Sequence, residues 1–118
     1  MTGQLSMMDK NKSAFKLKGL PHIYWLNLDA DTERRQYMEE QFEYWEIENH
    51  TRIVGYDGRE DDVSDNLKGV IPDNVTQGEL GCCMAHLKAI KEFYENSDDP
   101  YCIIAEDDVN LNIAHYWN

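Results

Sequence analysis

The sequence predicts an α/β protein built on a parallel sheet, and three observations carry that prediction. Residues 22–28 and 101–105 are short runs rich in apolar, aromatic and β-branched side chains, the pattern of strands covered on both faces. The stretches between them show helical periodicity, and one opens with a capping signal, Thr76-Gln77-Gly78-Glu79. The resulting order is strand, helix, strand, loop, helix, strand, which right-handed crossovers assemble into one parallel layer with flanking helices. No internal repeat is evident.

Each element has a local reason. Residues 1–18 are polar, with Lys10, Lys12, Lys16 and Lys18 against Asp9, and read as a flexible tail or a cloning remnant ahead of a domain over 19–118. The first strand follows, ending at Asn27-Leu28. Asp29 or Asp31 is expected to cap the next helix through its side-chain oxygen. That helix runs to about Trp45, with Met38, Phe42 and Trp45 at i, i+4, i+7 as its buried stripe. A short strand over 51–54 stops at the turn-rich Gly55-Tyr56-Asp57-Gly58. Residues 59–75, with Asp61, Asp62, Asp65 and Asp73, read as a long surface loop. In the second helix Leu80, Cys83, Met84, Leu87 and Tyr94 mark the apolar face. Gly78 and Gly81 weaken its first turn, and their plausible use is close approach to a strand or ligand. Asn96-Ser97-Asp98-Asp99-Pro100 ends the helix and leads into the last strand.

Composition narrows the function. At 118 residues the chain is about one small domain, with little room for a second lobe. Its net charge of −12, from 23 acids against 11 bases, excludes nucleic acid as the expected partner, because phosphate neutralisation needs clustered cations. No apolar run is long enough for a transmembrane segment and no secretion signal is visible, so a cytoplasmic location is expected. Cys82, Cys83 and Cys102 suit neither a disulfide framework nor a zinc knuckle and read as reduced thiols. The glycosylation sequons at Asn49 and Asn74 then read as chance matches.

The last strand ends in Glu106-Asp107-Asp108. Unpaired carboxylates are too costly to bury, and the C-terminal edge of a parallel sheet is where open α/β folds bind ligands. Closely spaced carboxylates also suit Mg²⁺ or Mn²⁺ bridged to phosphates. A metal-assisted nucleotide or phosphate site is one reading, and a solvated acidic turn is the other. A phosphoacceptor receiver domain fits less well, since the acids follow the last strand and no lysine comes after them. A P-loop enzyme is excluded because no G-x-x-x-x-G-K is present.

Four blocks then arrive in one order. They are Ile23-Tyr24-Trp25-Leu26-Asn27-Leu28-Asp29 with Glu33-Arg34-Arg35, next Gly55-Tyr56-Asp57-Gly58, next Gly78-Glu79-Leu80-Gly81-Cys82-Cys83-Met84-Ala85-His86-Leu87-Lys88-Ala89, and last Ile103-Ile104-Ala105-Glu106-Asp107-Asp108-Val109. Together, across residues 22–109, they resemble glycosyltransferase family 25, which includes lipopolysaccharide biosynthesis transferases and collagen galactosyltransferases. The resemblance implies a GT-A, Rossmann-like fold. It also implies a nucleotide-sugar donor, UDP-galactose or UDP-glucose, with Mn²⁺ or Mg²⁺ as cofactor. The implied reaction is transfer of a hexose to a glycan or a hydroxylated protein acceptor, with inversion. By the same carry-over Asp108 and Glu106 are the metal ligands. Asn27 and Asp29 line the nucleotide pocket, and Arg34 or Arg35 meets a phosphate. Asp57 holds the base or ribose, while His86 and Asp107 are the catalytic candidates. Ordinary readings stand beside these: an exposed arginine pair bonding Asp31 or Glu39, a packed helix histidine, a turn-capping Asp57.

Two departures from the family pattern stand out. Ala85 replaces the serine that usually precedes the histidine, which removes any hydroxyl contact there. The chain also ends ten residues past Asp108, so a domain truncated at its C-terminus, a missing half or a partner chain is expected. The alternative function is a non-catalytic fragment that binds nucleotide-sugar and metal.

Overall fold

The computed structural model describes residues 14–56 and 73–116. Three parallel strands form one sheet: β1 (Ile23–Asn27), β2 (His50–Val54) and β3 (Ile103–Glu106), in the order β2-β1-β3. Helix α1 (Thr32–Tyr44) joins β1 to β2, and α2 (Gln77–Asn96) lies between β2 and β3 in sequence. Short 3₁₀ turns occupy Ala14–Leu17 and Leu111–Tyr116.

Strand β1 is buried along its whole length, because it is central and both faces are covered. Its period of two divides the core. Ile23 and Trp25 face Met38 and Phe42 of α1, with Trp45, Ile47 and Ala114 completing that cluster. Tyr24 and Leu26, with Ile53, face Ala85 and Ala89 of α2. The helices therefore cover opposite faces. The stripe Met38, Phe42 and Trp45 is buried as the periodicity requires, and these three with Trp25 are the largest fully buried side chains. Trp25 donates from Nε1 to His50 Nδ1 at 3.1 Å, and the His50 ring stacks on Phe42 at 4.2 Å.

Helix α2 corrects one expectation. The face bearing Leu80, Cys83, Met84, Leu87 and Tyr94 is not the one on the sheet. Leu87 is 50% exposed and Tyr94 84%, while Gly81, Ala85 and Ala89 are buried. Small residues at i, i+4 and i+8 let the helix backbone lie close to β1 and β2, where longer side chains would hold it off. Leu80, Cys83, Leu87, Ile90 and Tyr94 form a second apolar stripe with alternating spacings of three and four, turned outward.

Two caps differ in detail. Thr76 Oγ1 accepts from the Glu79 N–H at 3.1 Å and donates to the Glu79 carboxylate, so α2 starts where the capping signal puts it. Asp31 holds the N-cap position of α1, but its side chain makes no capping bond. The chain turns there at φ −88°, ψ 66°, away from the extended conformation in which a cap side chain reaches back to the helix N–H groups. Asp29, the other capping candidate, bonds Arg52 instead.

After β3 the chain is clamped to α1. Buried Gln41 donates to the Val109 carbonyl at 2.9 Å and accepts from the Leu111 N–H. Trp45 Nε1 donates to Asn112 Oδ1 at 3.3 Å. At the other end of the chain, Lys16 in the 3₁₀ turn of the stretch read as a tail donates to the carbonyls of Ala114 and His115. Among the described residues no helix is long and apolar enough to cross a membrane.

Candidate functional site

The chain runs from β1 to β2 on one side, then returns across β1 to place β3 on the other. The C-terminal edge between β1 and β3 is therefore a topological switch point, where diverging connections leave a crevice. Strand register aligns the groups that meet there. Leu26 pairs with Glu106, so the next residues, Asn27 and Asp107, come level. Asn27 Nδ2 donates to Asp107 Oδ2 at 2.8 Å and to the Asp31 carbonyl at 3.2 Å.

The pleat separates the three consecutive acids. Glu106 projects to the α2 face, where Cys82 Sγ donates to its Oε1 at 3.7 Å. Asp107 projects to the α1 face and is only 7% exposed; its Oδ1 accepts from Arg34 at 3.3 Å. Asp108 stands exposed in the turn. With Asn27 and Arg34 bonded to it, Asp107 is buried with charge and lone pairs met, as a carboxylate in that position requires.

Of these groups all but Asp108 line a cleft of about 390 Å³. One wall carries Asn27, Asp31, Arg34, Glu106 and Asp107, and the other is made by Gly78, Gly81, Cys82 and Ala85 of α2 with Gly55 and Tyr56. The size falls within the range of small-molecule sites. On its α2 side the second wall is low because the residues there are small. A Cβ on Gly55 would stand 3.3 Å from Leu28 Cδ2 and 3.7 Å from Ala85 Cβ, so a side chain at position 55 would press on Leu28.

The arginine pair is divided. Arg34 lines the cleft with its side chain 58% exposed, whereas Arg35 pairs with Glu39 one turn along the outer helix face at 3.2 Å. Of the other expected site residues, Asp29 bonds Arg52 at 2.9 Å. His86 Nδ1 bonds the Cys82 carbonyl at 2.8 Å and lies 3.7 Å from Cys82 Sγ. An N–H pointing at a carbonyl makes Nε2 the basic nitrogen of the neutral ring. Asp57 lies outside the described residues.

Three contributors were not singled out from the sequence. Arg52 donates from Nε to Asn27 Oδ1 and from its terminal nitrogen to Asp29 Oδ1, both at 2.9 Å. The available signal was a cation followed directly by Ile53 and Val54 in a short predicted strand. Tyr56 lines the cleft with the Lys88 ammonium 5.6 Å from its ring centre. Cys82 sits one helical turn before His86. Shielding of its sulfur, then the adjacent Glu106 carboxylate, pushes its thiol pKa up, so it is a donor to Glu106 and not a thiolate nucleophile.

Among the described residues no group of three or more His, Cys, Asp or Glu side chains is arranged to hold a metal alone. Glu106 and Asp108 are both exposed, Glu106 at the cleft wall and Asp108 in the turn beyond it.

The architecture is thus a parallel α/β sheet with a cleft at its switch point, the place where open α/β folds bind ligands. A family model, glycosyltransferase family 25 (LPS biosynthesis protein), matches residues 20–116. The chain belongs to that family, and the resemblance read from its four blocks is correct. Searches of curated proteins and of solved structures gave no match.

Proposed function

We propose that this chain binds a UDP-hexose, UDP-galactose or UDP-glucose, in the cleft between β1 and β3 and takes part in inverting transfer of the hexose to a glycan or hydroxylated acceptor. The observation that carries the reading is the meeting of Asn27, Arg34, Glu106 and Asp107 at the switch point of a chain in a glycosyltransferase family. The described sheet is read as the nucleotide-binding part of a GT-A fold.

In this reading Arg34, the cation of the α1 wall, meets a donor phosphate with its exposed fork. Asp107 holds that arginine and the β3 turn in place, acting through its neighbours. Glu106 and Asp108 would hold Mn²⁺ or Mg²⁺, which when bound neutralises the diphosphate and eases departure of the nucleotide. Inversion requires an acceptor hydroxyl to attack the anomeric carbon from the face opposite the nucleotide and to lose its proton. Nε2 of His86, unprotonated in the tautomer fixed by the Cys82 carbonyl, is the candidate to take it. Low walls at Gly78, Gly81 and Ala85 leave room for the nucleotide or sugar beside α2.

The test is calorimetric titration of UDP with and without Mn²⁺, repeated with UDP-galactose and UDP-glucose, on the wild type and Asp108→Asn. Metal-dependent binding that is lost in the variant, at an unchanged melting temperature, is expected. Full metal dependence in Asp108→Asn would remove the assignment of the ligand. A donor-hydrolysis assay then separates turnover from binding without chemistry.

A further inference from the structure

Arg52 contributes no atom to the cleft wall, yet it holds two of the residues read as donor ligands. Its side chain starts beside Trp25 on β2 and runs along the sheet to the C-terminal edge, where it is 16% exposed. There Nε bonds Asn27 Oδ1 and the terminal nitrogen bonds Asp29 Oδ1. Asn27 is 3% exposed, and its carboxamide bridges Arg52 on one side to Asp107 on the other.

The chemistry of that bridge gives it direction. The oxygen and nitrogen ends of an asparagine amide occupy nearly the same space, so its orientation is set by its partners. A guanidinium has donors only, and therefore the end facing Arg52 must be the oxygen. The NH₂ end is then turned to Asp107 Oδ2 and the Asp31 carbonyl, both acceptors. A flipped amide would set oxygen against both groups and leave the Asp107 oxygen without its buried donor. Lysine cannot substitute, because one ammonium has no planar fork to reach Asn27 and Asp29 together.

We propose that Arg52 is a positioning residue of the donor cleft: it fixes the Asn27 amide, and through it the Asp107 carboxylate and the Arg34 guanidinium that faces the donor phosphates. The inference rests on the UDP-hexose reading above, and adds to it a residue on the opposite strand that touches no ligand.

Two readouts test it on the full chain, with Arg52→Met and Arg52→Lys. The first needs no ligand. In the wild type the Asn27 side-chain NH₂ signals are expected to be protected from exchange with solvent, and in both variants that protection drops while the Trp25 indole N–H stays protected. The second is UDP titration in Mn²⁺. Arg52→Met is expected to weaken binding roughly tenfold, the scale of one charge-assisted hydrogen bond, and to add little in an Asp107→Asn background. Unchanged Asn27 protection, full rescue by lysine, or effects of Arg52→Met and Asp107→Asn that simply add would each overturn the proposal. Failure of the wild type itself to bind UDP with Mn²⁺ is seen before any substitution. It overturns the donor reading, and the positioning role with it.

Discussion

Replacing Asn27 with aspartate changes one atom of the bridge and reverses its electrostatics. The amide nitrogen 2.8 Å from Asp107 Oδ2 becomes an oxygen, so two carboxylates face each other in a site where Asp107 is 7% exposed. Unit charges about 4 Å apart repel by about 4 kcal/mol at an effective dielectric of 20. The other course is to keep one proton on the pair, which from an unperturbed value of about 3.9 also costs about 4 kcal/mol at neutral pH. Arg52 gains a charged acceptor in place of a neutral one and offsets about 1 kcal/mol of this. A destabilisation of about 3 kcal/mol at neutral pH follows, a large share of the 5–15 kcal/mol of a typical domain. The pair shares a raised titration in the folded state, so the folded protein binds more protons than the unfolded chain as pH falls toward 4. The deficit relative to wild type therefore shrinks on acidification through that raised value and is fully present only above it. Urea unfolding of both proteins from neutral pH to about pH 4.5 measures it, with equal slopes required for the comparison. A deficit that does not change with pH, or one below about 1 kcal/mol at neutral pH, would refute the buried bridge between Asn27 and Asp107.

Three further substitutions probe the two faces of the sheet and the outer side of α2. Burial first, then the neighbouring His22, holds the His50 pKa below its ordinary value, so the unfolded chain gains the proton sooner as pH falls. Wild type should then lose stability relative to His50→Phe as pH drops below about 6.5, and parallel curves for the two proteins would argue against a neutral His50 between Trp25 and Phe42. On α2, Ala89→Leu should cost about 1–3 kcal/mol by overpacking against β1, while Leu87→Ala on the outward stripe should stay within about 0.5 kcal/mol. Equal costs in urea unfolding would mean that the outer stripe is covered.

Strand β1 and helix α1 were readable because their signals are local. A short run nearly continuous in apolar and aromatic residues reads as a strand covered on both faces, and Met38, Phe42 and Trp45 fall on one helical face whatever packs there. Helix α2 was misread for the opposite reason. It is apolar on two sides, and hydrophobicity favours the larger side chains of Leu87 and Tyr94, whereas approach to the sheet selects the small Gly81, Ala85 and Ala89. Periodicity reports that a helix has an apolar face and not which face meets the sheet.

The site divides in the same way. The sequence by itself determined that acids end the last strand, that Asn27 ends the first, and that four blocks in this order mean glycosyltransferase family 25. Residue type and spacing along the chain are enough for those statements. Only the tertiary structure decided that β3 lies beside β1, which brings Asn27 level with Asp107 across eighty residues of sequence. It also split pairs that look equivalent in the chain: Arg34 to the cleft and Arg35 to Glu39, Glu106 to α2 and Asp107 to α1. Adjacent residues on a strand or helix point in different directions, and what each meets is set by elements far away in sequence. Arg52 shows this most plainly, since its partners are chosen by strand order and register, which no local pattern encodes.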